Sequence, residues 1–111
     1  MKLVIAYVQP FVSDRVIEAL RAVPGVTGAT FAEVRGFGRG HTVERLTEET
    51  LFGSDEHLRF EVAIADEIED AVVSAIIRAA HTGQRGDGKV FVLPVSAATR
   101  VAPGESGAGV V

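Results

Sequence analysis

A polar, glycine-bearing stretch at residues 36–56 divides the chain into two halves that have the same order of apolar segments. Each half contains two short apolar runs of strand length, separated by a segment whose apolar residues recur at helical spacing. The predicted strands are residues 2–9, 26–35, 58–65 and 89–95. The order strand–helix–strand, loop, strand–helix–strand is typical of the split βαβ, or ferredoxin-like, arrangement.

Several residues in the two helical segments have the chemistry of helix boundaries. Ser13 is a candidate N-cap of the first helix, and Asp66, with Glu69 three residues later, has the spacing of a capping box before the second. Gly83 is a candidate stop signal for the second helix. We therefore predict an α+β, ferredoxin-like βαββαβ domain.

The predicted domain occupies residues 1–95, with its long loop at 36–56 and a tail of small residues at 96–111. A length of 111 residues is enough for one domain. Two helices cover only one face of a four-stranded sheet, and the mean hydropathy of +0.25 is high for so small a domain. Because the other face also carries apolar side chains, we expect a homo-oligomer.

Composition excludes several classes of function. The absence of cysteine excludes disulfide frameworks, thiol nucleophiles and cysteine-based metal centres. A net charge of −4 without a basic stretch argues against nucleic-acid binding. The apolar run at the N-terminus is too short for a signal peptide or a membrane span, so we expect a cytoplasmic protein that does not insert into a membrane.

Two glycine-rich segments carry positive side chains. The first, residues 36–40, includes Arg39 and opens the long loop; the second, residues 82–89, ends in Lys89. Backbone amides and a lysine or arginine in such segments suit an anionic ligand, and Arg100 adds a further cation. The simpler alternatives are a tolerated surface insertion for the first segment and a helix end followed by an Asp-Gly turn for the second.

The chain resembles the PII signalling proteins over almost its whole length. The resemblance lies in residues 1–4, 10–11, 33–42 and 82–92. It implies a homotrimer of ferredoxin-like subunits that binds adenine nucleotides (ADP, AMP or ATP) in the clefts between subunits. The positions that match nucleotide-binding residues of the family are Thr30, Gly36, Phe37, Gly38, Arg39, Ile64, Gly86, Asp87, Gly88, Lys89 and Arg100.

The sequence departs from the family pattern at residues that hold 2-oxoglutarate and phosphate. The glutamine that typically follows Arg39 is deleted, His57 replaces a lysine, and Ala102 replaces a second tail arginine. The only tyrosine, Tyr7, lies outside the loop, which excludes nucleotidylation of a loop tyrosine. We therefore expect no classical 2-oxoglutarate sensing, and a small anion such as bicarbonate as co-ligand, as in the similar carboxysome-associated PII-like proteins.

The long loop has the composition of a docking peptide, with charges for orientation and an apolar pair for anchoring. The residues concerned are Glu44, Arg45, Glu48, Glu49, Leu51 and Phe52. The resemblance implies a regulatory protein, not an enzyme, that docks on a transporter or metabolic enzyme.

Two other functions stay open. One is a classical ATP/2-oxoglutarate nitrogen-regulatory PII protein. The other is a metal-binding trimer of the divalent-cation-tolerance type, which would use histidines from His41, His57 and His81. No pair of these has the spacing of a helical zinc motif. We therefore predict no metal site.

Overall fold

Four antiparallel strands form one sheet in the part of the chain described by the computed structural model, residues 1–38, 55–84, 86–101 and 106–111. The strands are β1 (Lys2–Val8), β2 (Thr30–Gly36), β3 (Asp55–Ile64) and β4 (Gly88–Pro94). The helices are α1 (Ser13–Ala22) and α2 (Glu69–Ala80), each preceded by a short 3-10 turn, Pro10–Val12 and Asp66–Ile68, and a third such turn is Ala108–Val110. The strand order β2-β3-β1-β4 confirms the predicted ferredoxin-like fold.

One face of the sheet packs on the two helices and forms the core. Alternate residues of β1 and β3 point to this face, in keeping with the two-residue period of a strand. The buried strand residues are Val4, Ala6, Val8, Leu58, Phe60, Val62 and Ile64. They meet Val16 and Leu20 of α1 and Val72 and Ile76 of α2. Each fully buried valine, leucine, isoleucine or phenylalanine stabilises the fold by about 1.5–3 kcal/mol relative to exposure.

The predicted N-caps are wrong. Pro10 begins a 3-10 turn, for which its fixed φ and missing amide hydrogen suit it, so Ser13 already lies inside helical structure and makes no capping bond. Asp66 likewise begins a turn, and its carboxylate accepts a hydrogen bond from the Met1 ammonium at 2.8 Å. This bond lowers the pKa of Asp66 below its usual 3.8. Neither residue therefore acts as an N-cap.

The boundaries of the elements also differ from the prediction. The second helix ends at Ala80, and the chain is already extended at His81, before Gly83 is reached. Strand β2 begins at Thr30, not Val26, because the amide of Val26 is held in a turn by the carbonyl oxygen of Val23 at 3.2 Å. Strands β2 and β3 pair as far as Gly36 and Asp55, so the connection between them is shorter than predicted.

The other face of the sheet has no covering element among the described residues. Leu3 lies between Ala63 and Leu93 in the strand register, and Ile5 lies between Glu61 and Phe91. Phe91 and Leu93 are 49% and 42% exposed. We call this surface the open face. Its apolar character agrees with the expectation of an oligomer.

Strand β2 is an edge strand whose side chains are mostly exposed. Six of its seven residues are exposed. Phe31 packs on Phe60, with ring centroids 5.3 Å apart, and is still 50% exposed. An edge strand with exposed apolar side chains is a pairing or packing surface unless another element covers it.

Candidate ligand-binding site

The chain between α2 and β4 forms a glycine-rich turn, and the carboxylate of Asp87 holds it closed. Its Oδ2 atom accepts hydrogen bonds from the amides of Thr82 at 2.8 Å and Gly83 at 3.2 Å. Its Oδ1 atom accepts a bond from the Thr82 hydroxyl, which in turn accepts the amide of Gln84 at 3.2 Å. His81 Nδ1 lies 3.6 Å from Oδ2. These bonds, led by that of the Thr82 hydroxyl, lower the pKa of Asp87 below 3.8.

This bonding changes the interpretation of Asp87. The sequence suggested a nucleotide contact, yet both carboxylate oxygens are engaged within the chain. The anion that meets the amides of Thr82 and Gly83 is therefore Asp87 itself. If the turn binds an external anion, that anion would contact the later part of the turn, at Gly86 and Gly88. Asp87 shapes the turn through Thr82, a partner that sequence reasoning missed, although its five-residue separation from Asp87 was a usable signal.

Gly88 fixes the point where the turn joins the sheet. Its φ of +128° is in the region that side chains disfavour, and a Cβ built there would lie 1.8 Å from the carbonyl oxygen of Tyr7. Gly88 pairs with Val8 in the sheet register. The end of β1 and the start of β4 therefore approach more closely than any other residue at this position would permit.

A second contact ties the residue after β1 to the turn. The side-chain amide of Gln9 donates a hydrogen bond to the carbonyl oxygen of Gly86, with an Nε2–O distance of 2.6 Å. The two residues are 77 positions apart in the chain. Sequence analysis did not single out Gln9, and a polar residue immediately after a buried strand was the available signal.

Lys89 is the first side chain after the turn and lies on the open face. It pairs with Tyr7 of β1, which pairs in turn with Arg59 of β3. Arg59 is bound to Glu61, with an Nη2–Oε1 distance of 2.7 Å. Within the described ranges, no carboxylate forms an ion pair with Lys89, which is exposed. The ammonium of Lys89 is therefore available to an anion bound at the turn.

The remaining predicted residues on β2 lie at the other edge of the sheet. Strands β3 and β1 separate β2 from β4, a distance of three strand spacings or about 14 Å. Thr30 is exposed on β2, and Phe37, just beyond its end, is 85% exposed. One chain therefore does not place Thr30 beside Lys89. A cleft that contains both edges needs the β2 edge of one copy next to the β4 edge of another.

Ile64 and Arg100 have different surroundings. The Ile64 side chain is 0% exposed and belongs to the core beneath the helices, so only its main chain could line a cleft. Arg100 is exposed on the tail, which folds back on itself through pairing of Thr99 with Ser106. Arg39 and the predicted docking residues Glu44, Arg45, Glu48, Glu49, Leu51 and Phe52 lie outside the described residues.

A groove of about 290 Å³ runs between α2 and the β1–β4 pair, next to the turn. Its walls are mostly apolar, from Val73, Ile76 and Ile77 of α2 and Val90 of β4. Its polar lining residues are Tyr7, His81, Asp87 and Lys89, of which His81 and Asp87 lie 3.6 Å apart. The groove therefore provides apolar contact directly beside the turn and Lys89.

The described residues contain no group of three or more histidine, cysteine, aspartate or glutamate side chains that could hold a metal ion. His57 and His81 lie on different elements, β3 and the end of α2, and His41 lies outside the described ranges. None of the described helices is long and apolar enough to span a membrane.

The fold and the turn define a small ferredoxin-like protein with a glycine-rich turn and an exposed lysine at one sheet edge. The family model for nitrogen regulatory protein P-II matches residues 1–105. The chain is 44% identical to nitrogen regulatory protein P-II of Rhizobium etli over 108 residues, 96% of each protein. It is 43% identical over 107 residues to P-II of Klebsiella oxytoca and to P-II 1 of Escherichia coli K12, with 95% of each chain covered. The chain belongs to the P-II family of regulatory signal-transduction proteins.

Proposed function

We propose that this protein is a trimeric regulator that binds an adenine nucleotide in clefts between its subunits. The observation that carries the proposal is the turn before β4. Hydrogen bonds made by Asp87 and Gln9 within the chain hold it in shape, and the exposed ammonium of Lys89 stands directly after it. A prebuilt turn with an adjacent lysine suits a phosphate group, because the amides need no reordering when the anion binds.

The distribution of the candidate residues supports an assembly of several copies. Thr30 and the turn occupy opposite edges of the sheet, and the open face between them carries exposed apolar side chains. Association of copies through the open face would remove Phe91 and Leu93 from water and bring different edges together. The family resemblance supplies the number three and assigns Arg100 to the neighbouring subunit.

The nucleotide preference follows from lost charged contacts. Ala102 stands where the family has a second tail arginine, and the glutamine after Arg39 is absent. A hydrogen bond to a charged group contributes about 1.5–3 kcal/mol. Because ATP carries more phosphate charge than ADP or AMP, we expect ATP to lose the most affinity.

The co-ligand we propose is a small anion such as bicarbonate. His57 replaces the lysine that would pair with a 2-oxoglutarate carboxylate, and an imidazole does not reproduce the reach and permanent charge of a lysine ammonium. The classical alternative, ATP with 2-oxoglutarate, receives equal support from the relatives, whose names describe nitrogen regulation. Titration of 2-oxoglutarate and of bicarbonate into the nucleotide-saturated protein distinguishes the two. A heat signal from 2-oxoglutarate alone would establish the classical function.

The readout of the nucleotide state is the loop at 37–54, which would dock on a transporter or metabolic enzyme. Leu51 and Phe52 supply apolar anchors among charged residues. A nucleotide that binds one loop conformation more tightly raises the population of that conformation. The affinity of the loop for its target protein changes accordingly. The protein acts by binding and carries out no catalysis of its own.

Calorimetry with ADP tests the proposal. The wild-type protein should bind ADP, and Lys89→Ala should weaken binding by about tenfold or more, as expected for loss of a charged contact. Arg21→Ala, which removes an exposed positive charge at the end of α1, is the matched control and should bind as the wild type does. Equal ADP affinity in Lys89→Ala and the wild type would contradict the proposal. The turn would then have only the structural role of ending the helix.

A further inference from the structure

We infer that Gln9 is a positioning residue that presets the turn at residues 86–88 for its anion. The inference rests on the proposed function and adds a component that lies outside the turn. The amide of the Gln9 side chain donates to the Gly86 carbonyl oxygen at 2.6 Å, whereas Asp87 accepts from the amides of Thr82 and Gly83 at the start of the turn.

The backbone of Gln9 is itself fixed, which makes it a suitable anchor. Its φ of −67° and ψ of 142° are extended, as the following Pro10 requires. Its carbonyl oxygen accepts a hydrogen bond from the amide of Val12 at 3.2 Å. The residue before it, Val8, is 1% exposed in the core. The Gln9 side chain therefore extends from a rigid point of the fold.

The direction of the bond determines what it does to the turn. The carbonyl of Gly86 is the acceptor, so its peptide plane is oriented by Gln9. That plane also contains the amide of residue 87, and its orientation decides where this amide points. Gly86 has a φ of +86° and no side chain, so nothing else in its own residue limits rotation. Gln9 thus supplies the restraint that glycine lacks.

The Gln9 amide group also packs against the turn. A Cβ built on Gly86 would lie 3.4 Å from Gln9 Nε2, which is close to van der Waals contact. On the other side, Gly88 is confined by the Tyr7 carbonyl. The turn is therefore held at Gly86 by Gln9, at Asp87 by Thr82, and at Gly88 by the end of β1.

The test uses Gln9→Met, which keeps the length of the side chain and its neutrality but has no N–H donor. Gln84→Met, at an exposed position of the same turn, is the matched control. Hydrogen exchange of the amides of residues 86–88 is measured without nucleotide, and ADP affinity is measured by calorimetry. Melting temperatures of all variants are recorded.

We expect Gln9→Met to speed exchange of these amides and to weaken ADP binding by about three- to tenfold, the effect of one net hydrogen bond. Its melting temperature should stay close to that of Gln84→Met. Unchanged exchange and unchanged ADP affinity in Gln9→Met would overturn the inference. If Lys89→Ala still weakened ADP binding in that case, the proposed function would stand and only the role of Gln9 would fall. If the wild type bound no ADP, both would fall.

Discussion

The first atom that a side chain would add at Gly88 lies 1.8 Å from the carbonyl oxygen of Tyr7. Because that oxygen belongs to the backbone of β1, it does not move aside as a flexible side chain would. The positive φ of Gly88, +128°, adds a conformational cost of about 1–3 kcal/mol for any other residue.

Gly88→Ala should therefore lower the free energy of unfolding by about 3 kcal/mol or more, through backbone strain and displacement of β1 from β4. Urea unfolding followed by circular dichroism measures this change. Gly28→Ala is the control, since a Cβ there would meet nothing within 4 Å. A loss in Gly88→Ala no larger than that in Gly28→Ala would mean that the strands separate easily at this point.

The Asp87 carboxylate should make stability depend on acid pH. Its pKa is lowered in the folded protein, so its contribution is present above the unfolded pKa near 3.8 and is lost as pH falls through the folded value. Asp87→Asn should melt at a lower temperature than the wild type at pH 6, and this difference in melting temperature should shrink below about pH 4. Thermal melts from pH 2 to pH 7 measure it. Glu18→Gln, on the exposed side of α1, controls for the change in net charge. A gap that stays constant with pH would show that the charge of Asp87 is not what closes the turn.

The open face should hold the subunits together. Leu93→Lys, at a position 42% exposed in one chain, would place a charge in the buried interface and should convert the oligomer to single chains of 11.7 kDa. Ile77→Lys, at a position on α2 that is 54% exposed, is the control and should keep the oligomeric mass. Light scattering after size-exclusion chromatography reports both. An oligomer that survives Leu93→Lys would place the interface elsewhere.

A restored tail arginine should change nucleotide preference. Ala102→Arg should raise ATP affinity by about tenfold or more and ADP affinity by less, because the added charge serves the outer phosphates. Ala97→Arg, earlier on the exposed tail, is the matched control for net charge. Calorimetry with both nucleotides gives the ratio of ATP affinity to ADP affinity in each variant. Equal gains for ATP and ADP would show that the tail acts through charge alone.

The sequence was sufficient for the ferredoxin-like order of strands and helices along the chain, because each apolar period is a local signal. It was also sufficient for the core face of β3, where Leu58, Phe60, Val62 and Ile64 alternate with other residues. It was insufficient for the helix starts. Pro10 and the Met1 ammonium changed what Ser13 and Asp66 do, and the second of these effects depends on a contact 65 residues away in the chain.

The site shows the same division between local and distant information. The glycines and Lys89 of the turn were visible as a motif. The bond from Gln9 to Gly86 joins residues 77 positions apart, and a polar residue after a buried strand does not by itself indicate that partner. Ile64 was carried over by position alone, and the sheet places its side chain in the core. The pairing of sheet edges in a cleft depends on a second copy of the chain. The local patterns of one chain do not specify this pairing.

The central claim is that each binding site combines residues of two subunits, and complementation between two variants that each weaken ADP binding tests it most directly. Lys89→Ala and Arg100→Ala are each prepared, mixed in equal amounts, unfolded and refolded together, and titrated with ADP. If Lys89 and Arg100 of one cleft come from different chains, every mixed trimer contains one intact cleft. About a quarter of all clefts then regain wild-type affinity under random assembly. If the mixture binds no better than the average of the two variants refolded separately, the two residues do not meet across a subunit boundary, and the intersubunit site is wrong.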